Sequence, residues 1–335
     1  MKKIRVGING LGRIGRAFLK ESLKQGGLEV VAVNDLGDIG NMAYLLQYDT
    51  TYGRSGLEVT AKGNALMING KEIQYLSEKE PGKLPWKDLA VDVVVESTGF
   101  FASAEKSQAH IDAGAKHVVI SAPIKDGETI LMGLNEDRFG KSAVTSNASC
   151  TTNASSPIIA ILDEVVGIEK AVLNTVHAYT ATQTLVDGPA GKKGVREGRA
   201  AAQNIIPSST GAAVAMTRAY PSLEGRFDGI SLRVPVICGS IADITFISKR
   251  DTTAEEINAV LTKAAKDKRW QGIFAVAENE LVSSDILGRP EGAIAELSMT
   301  RVVGGNLVKV LAWYDNESGY ANMLVRHVIK AGKLV

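Results

Sequence analysis

The sequence predicts an α/β protein of two domains, and three observations support this prediction. Its 335 residues, 45% hydrophobic and 22% charged, exceed what one hydrophobic core usually holds. Up to about residue 150, short Val/Ile-rich runs alternate with helical or loop segments, as in a parallel sheet with right-handed crossovers. The later strand candidates alternate polar with apolar residues, which is typical of half-exposed antiparallel strands. We expect a parallel-sheet domain followed by an α+β domain with a mostly antiparallel sheet.

The individual elements follow from the same patterns. An apolar stripe along residues 316–330 predicts an amphipathic C-terminal helix, which needs an apolar surface to cover. We assign residues 1–150 to the first domain, completed by the helix at 316–335, and residues 151–315 to the second. The strand candidates are 4–8, 30–33, 91–95 and 117–120 in the first domain and 230–234, 242–247 and 307–313 in the second.

Charge and cysteine content exclude several classes of protein. A net charge of +1 provides no basic excess for nucleic acid or an anionic membrane surface. We expect no transmembrane segment, and glycines interrupt the N-terminal apolar residues before a signal-peptide run can form. Two cysteines, Cys150 and Cys238, are too few for a disulfide framework and fit a reducing compartment. These features predict a cytoplasmic protein and direct attention to thiol chemistry.

A glycine-rich turn follows the first strand candidate. Gly10-Leu-Gly12-Arg-Ile-Gly15 precedes an amphipathic helix, and such glycines permit a tight turn, close approach to a pyrophosphate and helix packing. The motif alone is equally compatible with a turn that binds nothing. Asp35, however, ends the next strand, where a carboxylate accepts hydrogen bonds from the ribose of NAD and repels the 2′-phosphate of NADP. We predict a Rossmann domain that binds NAD, with an Asx turn at Asp35 as the alternative.

Cys150 is the candidate nucleophile. The segment 146–153 lies between a strand candidate and a helical run, so Cys150 falls at a helix start, where free N–H groups and the dipole lower a thiol pKa. Its neighbours are hydroxyls and amides, which suit an anionic intermediate or a phosphate. Cys238, within an apolar run, is interpreted as a small buried hydrophobic residue.

A nucleophilic thiol needs a base, and the chain has four histidines, at positions 110, 117, 177 and 327. His177 ends the apolar run 171–176 and opens a polar loop, a usual position for a catalytic residue. A purely structural histidine remains the alternative from this pattern alone.

The segment Ser149-Cys150-Thr151-Thr152-Asn153 closely resembles the active-site signature of the glyceraldehyde-3-phosphate dehydrogenases. The resemblance extends almost from end to end of the chain. The other matching segments are Val6–Gly15, Val33–Asp35, Glu96–Gly99, Ser121–Pro123, His177–Thr180, Ile206–Ala212, Leu232–Pro235 and Trp313–Tyr320.

This resemblance implies a glycolytic oxidoreductase that converts glyceraldehyde 3-phosphate, inorganic phosphate and NAD to 1,3-bisphosphoglycerate and NADH. A thioester on Cys150 would be the intermediate, and His177 the base. The resemblance also implies a homotetramer, with the loop from about Thr180 to Arg199 near a neighbouring subunit's cofactor. Erythrose-4-phosphate dehydrogenase is the alternative within the family, and a nucleotide-binding interaction protein, such as an RNA-binding one, is the alternative outside it.

The resemblance assigns site residues one by one, without a metal ion. The expected cofactor-binding residues are Gly10, Gly12, Arg13, Ile14, Gly15, Asp35, Lys79, Ser121 and Asn316. The expected substrate- and phosphate-binding residues are Ser149, Thr151, Thr180, Arg196, Thr210, Gly211 and Arg233. Hydroxyls, backbone N–H groups and arginines suit phosphate oxygens.

The sequence also departs from the family pattern. Ala154 stands where many members have a second cysteine, Thr182 replaces a common aspartate, and Lys79 replaces a frequent arginine. The segment 189–196 is slightly longer than usual, which leaves open whether Arg196 or Arg199 binds phosphate. Residues 236–240 also differ from the common version that follows Arg-Val-Pro.

Overall fold

The computed structural model describes residues 3–190 and 194–335. The chain divides into two compact units: the residues up to Ile130 with Glu136–Ala148 and Leu324–Val335, and Leu131–Asn135 with Ser149–Met323. The expected boundaries differ from these units in three places: the first unit gives way to the second after Ala148, the return to the first unit is at Leu324, and Leu131–Asn135 group with the second unit. We retain 1–150 with 316–335, and 151–315, as proposed domains.

The first unit contains a sheet in the order β10-β11-β9-β8-β1-β2-β7-β6-β5, antiparallel only at its β7-β6-β5 edge. Its strands are β1 Ile4–Asn9, β2 Leu28–Asn34, β5 Val59–Lys62, β6 Ala65–Ile68, β7 Lys71–Leu76, β8 Val93–Glu96, β9 His117–Ile120, β10 Glu128–Thr129 and β11 Val144–Ser146; β3 Tyr48–Asp49 and β4 Gly53–Arg54 pair separately. The helices are α1 Arg13–Gln25, α2 Ile39–Gln47 and α3 Ala104–Asp112, with short 3-10 helices at Pro81–Lys83 and Glu136–Arg138.

Near-continuous apolar strands form the core of this sheet. Val6 and Ile8 of β1 and Val93–Val95 of β8 are completely buried, as expected for parallel strands covered on both faces. The predicted parallel sheet is therefore confirmed. The antiparallel strands β5 and β6 at the edge were not among the predicted strands; each has only four residues, and only β6 is apolar throughout.

The second unit contains a sheet in the order β13-β14-β12-β15-β18-β17-β16, in which four of the six strand pairs are antiparallel. The predicted α+β class is thus also confirmed. Its strands are β12 Ile168–Ala178, β13 Ile206–Ser209, β14 Phe227–Val234, β15 Ser240–Ser248, β16 Phe274–Val276, β17 Ala293–Val303 and β18 Leu307–Tyr314. Its helices are α4 Cys150–Val165, α5 Ala212–Ala219 and α6 Ala254–Ala264, with 3-10 helices at Val195–Gly198, Pro221–Leu223 and Lys268–Trp270. A further helix, α7 Ser318–Gly332, begins in this unit.

The C-terminal helix is present where the apolar stripe predicted it. Within α7, Ala321, Leu324, Val325 and Val328 are completely buried. Its residues from Leu324 onward belong to the first unit. None of the helices in the described ranges combines the length and apolar character that a membrane span requires.

Candidate active site

The glycine-rich turn has the backbone that the sequence predicts. Gly10 has a φ of +95°, and a Cβ atom there would lie 2.7 Å from the backbone nitrogen of Thr98. A Cβ at Gly15, on the first turn of α1, would lie 2.0 Å from the carbonyl oxygen of Gly10. Only glycine fits either position, because one needs a left-handed conformation and both need close backbone contact.

A cavity of about 610 Å³ opens beside this turn. Of the expected cofactor-binding residues, Gly10, Gly12, Asp35 and Lys79 line it. The Asp35 carboxylate accepts hydrogen bonds from the N–H groups of Leu11 (2.6 Å) and Gly37 (2.8 Å), which hold it at the end of β2. Each carboxylate oxygen has a second lone pair, so Asp35 can still accept from a ribose hydroxyl.

The remaining predicted cofactor residues lie at different positions. Arg13 and Ile14 begin α1, and the Arg13 guanidinium forms an ion pair with Asp49 at 2.8 Å. Ser121 directly follows β9, and its N–H donates to the carbonyl of Glu96. Asn316 belongs to the second unit.

Helix α4 begins at Cys150, as predicted. The hydroxyl oxygen of Ser149 caps the helix by accepting the N–H of Thr152 at 3.1 Å. The residue before the cap, Ala148, is completely buried and has a φ of +54°, a conformation that a non-glycine residue adopts only when its surroundings enforce it. The backbone immediately before the thiol is therefore held in a strained turn.

The structure brings Cys150 and His177 together. His177 Nε2 lies 3.4 Å from Cys150 Sγ, within hydrogen-bond distance for sulfur. His177 is nearly at the end of β12, and β12 pairs in parallel with β14 so that Arg233 is its direct partner. Because paired residues of neighbouring strands point to the same side, this register places the Arg233 guanidinium beside the imidazole, with Nη1 2.5 Å from Nδ1.

The contacts of the other ring nitrogen, Nδ1, decide whether Nε2 of His177 can accept a proton from the thiol. His177 Nδ1 is also 2.6 Å from the carbonyl oxygen of Ala178. When Nδ1–H donates to that carbonyl, Nε2 carries the lone pair and can accept the thiol proton. Arg233 has no acceptor, so in this tautomer its Nη1–H donates to the same carbonyl, at 3.3 Å, and not to Nδ1.

Burial raises the pKa of the Cys150 thiol, while the Arg233 guanidinium and hydrogen bonds from Thr151 act in the opposite direction. The expectation of a lowered pKa, which rested on the helix start alone, is therefore wrong for this structure. Loss of hydration outweighs the favourable groups around the sulfur. A thiol of raised pKa depends on a base within reach, and His177 meets that requirement.

Tyr314 is a further polar group at this site that the sequence reasoning did not single out. Its hydroxyl lies 2.8 Å from the Thr151 hydroxyl and 2.7 Å from that of Thr175, and its ring meets the His177 ring edge-on at 5.9 Å between centroids. Burial raises the pKa of this phenol, so it stays protonated. The motif Trp313–Tyr320 contained the signal, but nothing in its spacing pointed to His177.

The side-chain amide of Asn316 is oriented by its neighbours. Its Oδ1 atom accepts hydrogen bonds from the Gly239 N–H at 3.1 Å and the Ser240 hydroxyl at 2.9 Å. The amide nitrogen is thereby identified as the end left to donate. Cys238 is buried, as interpreted from the sequence, but its thiol has a polar partner, the Asp315 carboxylate at 3.3 Å.

The predicted phosphate-binding residues separate into two groups: five lie around the start of α4 and two, Thr180 and Arg196, lie in the loop after β12. Ser149 and Thr151 flank the thiol, and Arg233 adjoins His177. Thr210 and Gly211 precede α5, whose first residue accepts a hydrogen bond from Thr152 of α4 at 3.5 Å. This contact places the start of α5 beside the start of α4.

The other candidates lie in the loop after β12. Thr180 contacts the Thr182 hydroxyl, Arg196 is exposed in a short 3-10 helix, and Arg199 is paired with Asp187 at 2.8 Å. Part of the longer segment 189–196, namely residues 191–193, lies outside the described residues. The choice between Arg196 and Arg199 stays a prediction.

A glycine-turn pocket and a thiol facing an imidazole are the parts of a nicotinamide-dependent dehydrogenase that works through a cysteine. Comparison with known proteins makes this class specific. Residues 4–104 match the model of the glyceraldehyde 3-phosphate dehydrogenase NAD binding domain, and residues 149–316 match that of the C-terminal domain.

Named relatives agree with these family models. The chain is 48% identical over 333 residues to a glyceraldehyde-3-phosphate dehydrogenase of Streptomyces coelicolor, covering 98% of both chains. It is 46% identical to the glyceraldehyde-3-phosphate dehydrogenase of Clostridium pasteurianum and 45% identical to that of Geobacillus stearothermophilus. Each of these alignments covers 96% of both chains. The protein belongs to the glyceraldehyde-3-phosphate dehydrogenase family, and NAD is its cofactor.

Replacement of Arg233 by glutamine is expected to raise the pKa of Cys150 further, because the guanidinium favours the thiolate. Inactivation of the NAD-free enzyme by iodoacetamide would then be slower at pH 7, and its pH profile would move to higher pH. Arg233→Lys keeps the charge and should shift the profile less. An unchanged or lowered pKa in Arg233→Gln would contradict the assigned effect of the guanidinium.

Proposed function

We propose that this protein is the phosphorylating form of the enzyme, which converts glyceraldehyde 3-phosphate, inorganic phosphate and NAD to 1,3-bisphosphoglycerate and NADH. The observation that supports this proposal best is the 3.4 Å separation between Cys150 Sγ and His177 Nε2 at the start of α4. A thiol in this position can hold an acyl group as a thioester, which retains the energy of aldehyde oxidation for transfer to phosphate.

The proposed reaction begins when Cys150 gives its proton to His177 and its sulfur bonds to the aldehyde carbon. His177 passes that proton to the carbonyl oxygen, which becomes the hydroxyl of a hemithioacetal, and is then neutral again. NAD, when bound, would supply the hydride acceptor for the oxidation step. His177 removes the hydroxyl proton of the hemithioacetal as the carbon is oxidised, which leaves a thioester on Cys150. Attack of inorganic phosphate on the acyl carbon then breaks the S–C bond and releases the acyl phosphate.

The remaining assignments follow the geometry of each unit. We assign the cavity beside the glycine turn to the dinucleotide, with backbone N–H groups at the start of α1 for the pyrophosphate and the Asp35 carboxylate for the ribose. Asn316, with its amide nitrogen free of the contacts made by Oδ1, would hold the nicotinamide carboxamide. The reaction needs two anion sites, one for the phosphate group of the substrate and one for the attacking inorganic phosphate. The proposed residues for them are Ser149, Thr151, Thr180, Arg196, Thr210, Gly211 and Arg233.

We also propose a cytoplasmic homotetramer. Both cysteines are free thiols, which fits a reducing compartment. Apolar side chains are exposed on two neighbouring strands, Val172 at 60% and Ile230 at 55%, and on the loop after β12, with Leu185 at 79% and Val186 at 75%. Exposed apolar surface of this kind is typical of subunit interfaces.

The proposed function predicts that NADH forms from glyceraldehyde 3-phosphate only when inorganic phosphate or arsenate is present for turnover. Absorbance at the NADH band would be followed with glyceraldehyde 3-phosphate and with erythrose 4-phosphate, each with and without phosphate. We expect the three-carbon aldehyde to give the higher kcat/KM. A higher kcat/KM for erythrose 4-phosphate would assign the protein to the alternative within the family, and NAD binding without turnover on either would favour a non-enzymatic role.

A further inference from the structure

Side chains at the carboxyl ends of neighbouring strands of the first unit form a continuous hydrogen-bonded chain. Asn9, at the end of β1, donates from Nδ2 to Glu96 Oε2 at 2.6 Å, and Asn34, at the end of β2, donates to Asn9 Oδ1 at 2.7 Å. Asn34 also exchanges two hydrogen bonds, both 2.8 Å, with the backbone of Glu78 beyond β7. We call Glu96, Asn9, Asn34 and Glu78 the strand-end belt, since they join the ends of β8, β1, β2 and β7.

Glu96 anchors this belt through both of its oxygens. While Oε2 accepts from Asn9, Oε1 accepts from the N–H of Thr98 at 2.8 Å and from the Thr98 hydroxyl at 2.5 Å. Glu96 is 1% exposed, so its carboxylate depends on these donors in place of water. One buried side chain therefore fixes both the end of β1 and the turn that follows β8.

His110 provides a further hydrogen-bond donor to the Glu96 carboxylate. Trp86 Nε1–H donates to His110 Nδ1 at 2.9 Å, which leaves His110 Nε2 as the protonated nitrogen. That nitrogen lies 3.1 Å from Glu96 Oε2 and donates to it. His110 and Trp86 are completely buried, so this orientation is enforced by packing. The named neighbours of the Glu96 carboxylate are thus all donors.

The groups that Glu96 fixes face the dinucleotide cavity. Asn9, Asn34, Glu78 and Thr98 all line it, and Lys79 follows Glu78 directly. We propose that Glu96 is a positioning residue for NAD binding, which sets the Asn9 and Thr98 sides of the cavity before the cofactor enters. This inference rests on NAD as the cofactor of the proposed function. A site that is ordered in advance binds more tightly because less conformational freedom is lost on binding.

The chemistry requires a carboxylate at this position. Glutamine has nearly the same shape, but its amide nitrogen is a donor and cannot accept a hydrogen bond. Placed at Oε1, that nitrogen would face the N–H and hydroxyl of Thr98; placed at Oε2, it would face Asn9 Nδ2 and His110 Nε2. Either orientation sets donors against one another and displaces a wall of the cavity.

The test is a titration of the NAD-free, full-length protein with NAD, followed by calorimetry or fluorescence. We expect Glu96→Gln and Glu96→Asp to weaken NAD binding by about tenfold. Thr98→Val removes, with little change of shape, the hydroxyl that donates to Glu96 and accepts from the Phe100 N–H at 3.1 Å. This variant is expected to weaken NAD binding by about threefold and provides a second measurement if the Glu96 variants fold poorly. The KM for NAD should rise in all three variants, with little change in the KM for the aldehyde.

Glu296 offers a matched control in the second unit. It is 5% exposed and accepts hydrogen bonds from the Trp313 indole and from Ser298, so Glu296→Gln removes a similarly buried carboxylate. This variant should lose thermal stability without a change in NAD affinity. Unchanged affinity in Glu96→Gln and Thr98→Val would overturn the proposal, and so would tighter binding in Glu96→Gln alone, which would indicate simple charge repulsion. Failure of the parent protein to bind NAD would instead reject the function on which the proposal rests.

Discussion

Replacement of Cys150 by serine is expected to lower kcat for NADH formation by at least about a thousandfold, because a hydroxyl is a far weaker nucleophile and no thioester can form. His177→Asn should lower kcat by about 10²- to 10⁴-fold, the usual contribution of a general base. The two losses should not add in the double variant, since both residues act in the same proton transfer.

Cys238 provides the control for this experiment. Cys238→Ser changes the other thiol of the chain, which lies against Asp315 rather than His177. We expect this variant to keep rapid inactivation by one equivalent of iodoacetamide, whereas Cys150→Ser should not bind the label at the active site. Mass spectrometry of the labelled protein gives the modified residue. Retention of full turnover by Cys150→Ser would reject the covalent mechanism.

Local motifs predicted the parts of this site that depend on neighbouring residues in the chain. The turn from Gly10 to Gly15 needs glycine for reasons of backbone geometry, and Cys150 begins a helix because Ser149 caps it. Features of this kind are encoded over a few residues, so a single sequence is sufficient to recognise them.

Features that depend on strand pairing could not be predicted in this way. Arg233 meets His177 only because β14 pairs in parallel with β12 in one register, and Tyr314 reaches the same site from β18. The expected effect on the Cys150 pKa was wrong for a related reason. A helix start is visible in the sequence, but the burial of the sulfur is a property of the packed fold.

The strand-end belt also could not be predicted from the sequence, because it depends on strand pairing. Glu96 belongs to a segment that the resemblance to the family had already marked, yet two of its three partners, Asn9 and His110, are distant from it in the chain, and only Thr98 is near. Their convergence follows from the strand order β8-β1-β2-β7, since the carboxyl ends of parallel neighbours meet at one edge. The polar residues that end these strands therefore acquire a shared role only once the sheet is formed.

Acidification from pH 7 to pH 5 is expected to lower the free energy of unfolding by about 4 kcal/mol through two buried histidines of the first unit. His117 Nε2 lies 2.9 Å from the Thr145 hydroxyl, and His327 Nε2 lies 2.8 Å from the same hydroxyl. Burial lowers the pKa of His117 to about 4 and that of His327 to about 3, the latter with a contribution from the charge of its neighbour. Both rings are therefore neutral in the folded protein at pH 5.

The free energy of unfolding falls on acidification because, in the unfolded chain, a histidine has a pKa near 6.5 and binds a proton below that pH. Because the unfolded state takes up protons that the folded state cannot, stability falls as the pH drops from about 6.5 towards 4, by about 2 kcal/mol for each ring at pH 5. Urea unfolding at fixed protein concentration, at pH 7 and pH 5, measures the difference. His327→Gln should lose stability at pH 7 but show roughly half of the parent's acid-induced loss. An acid-induced loss equal to the parent's would show that His327 takes no part in the pH dependence and that other groups titrate in its place.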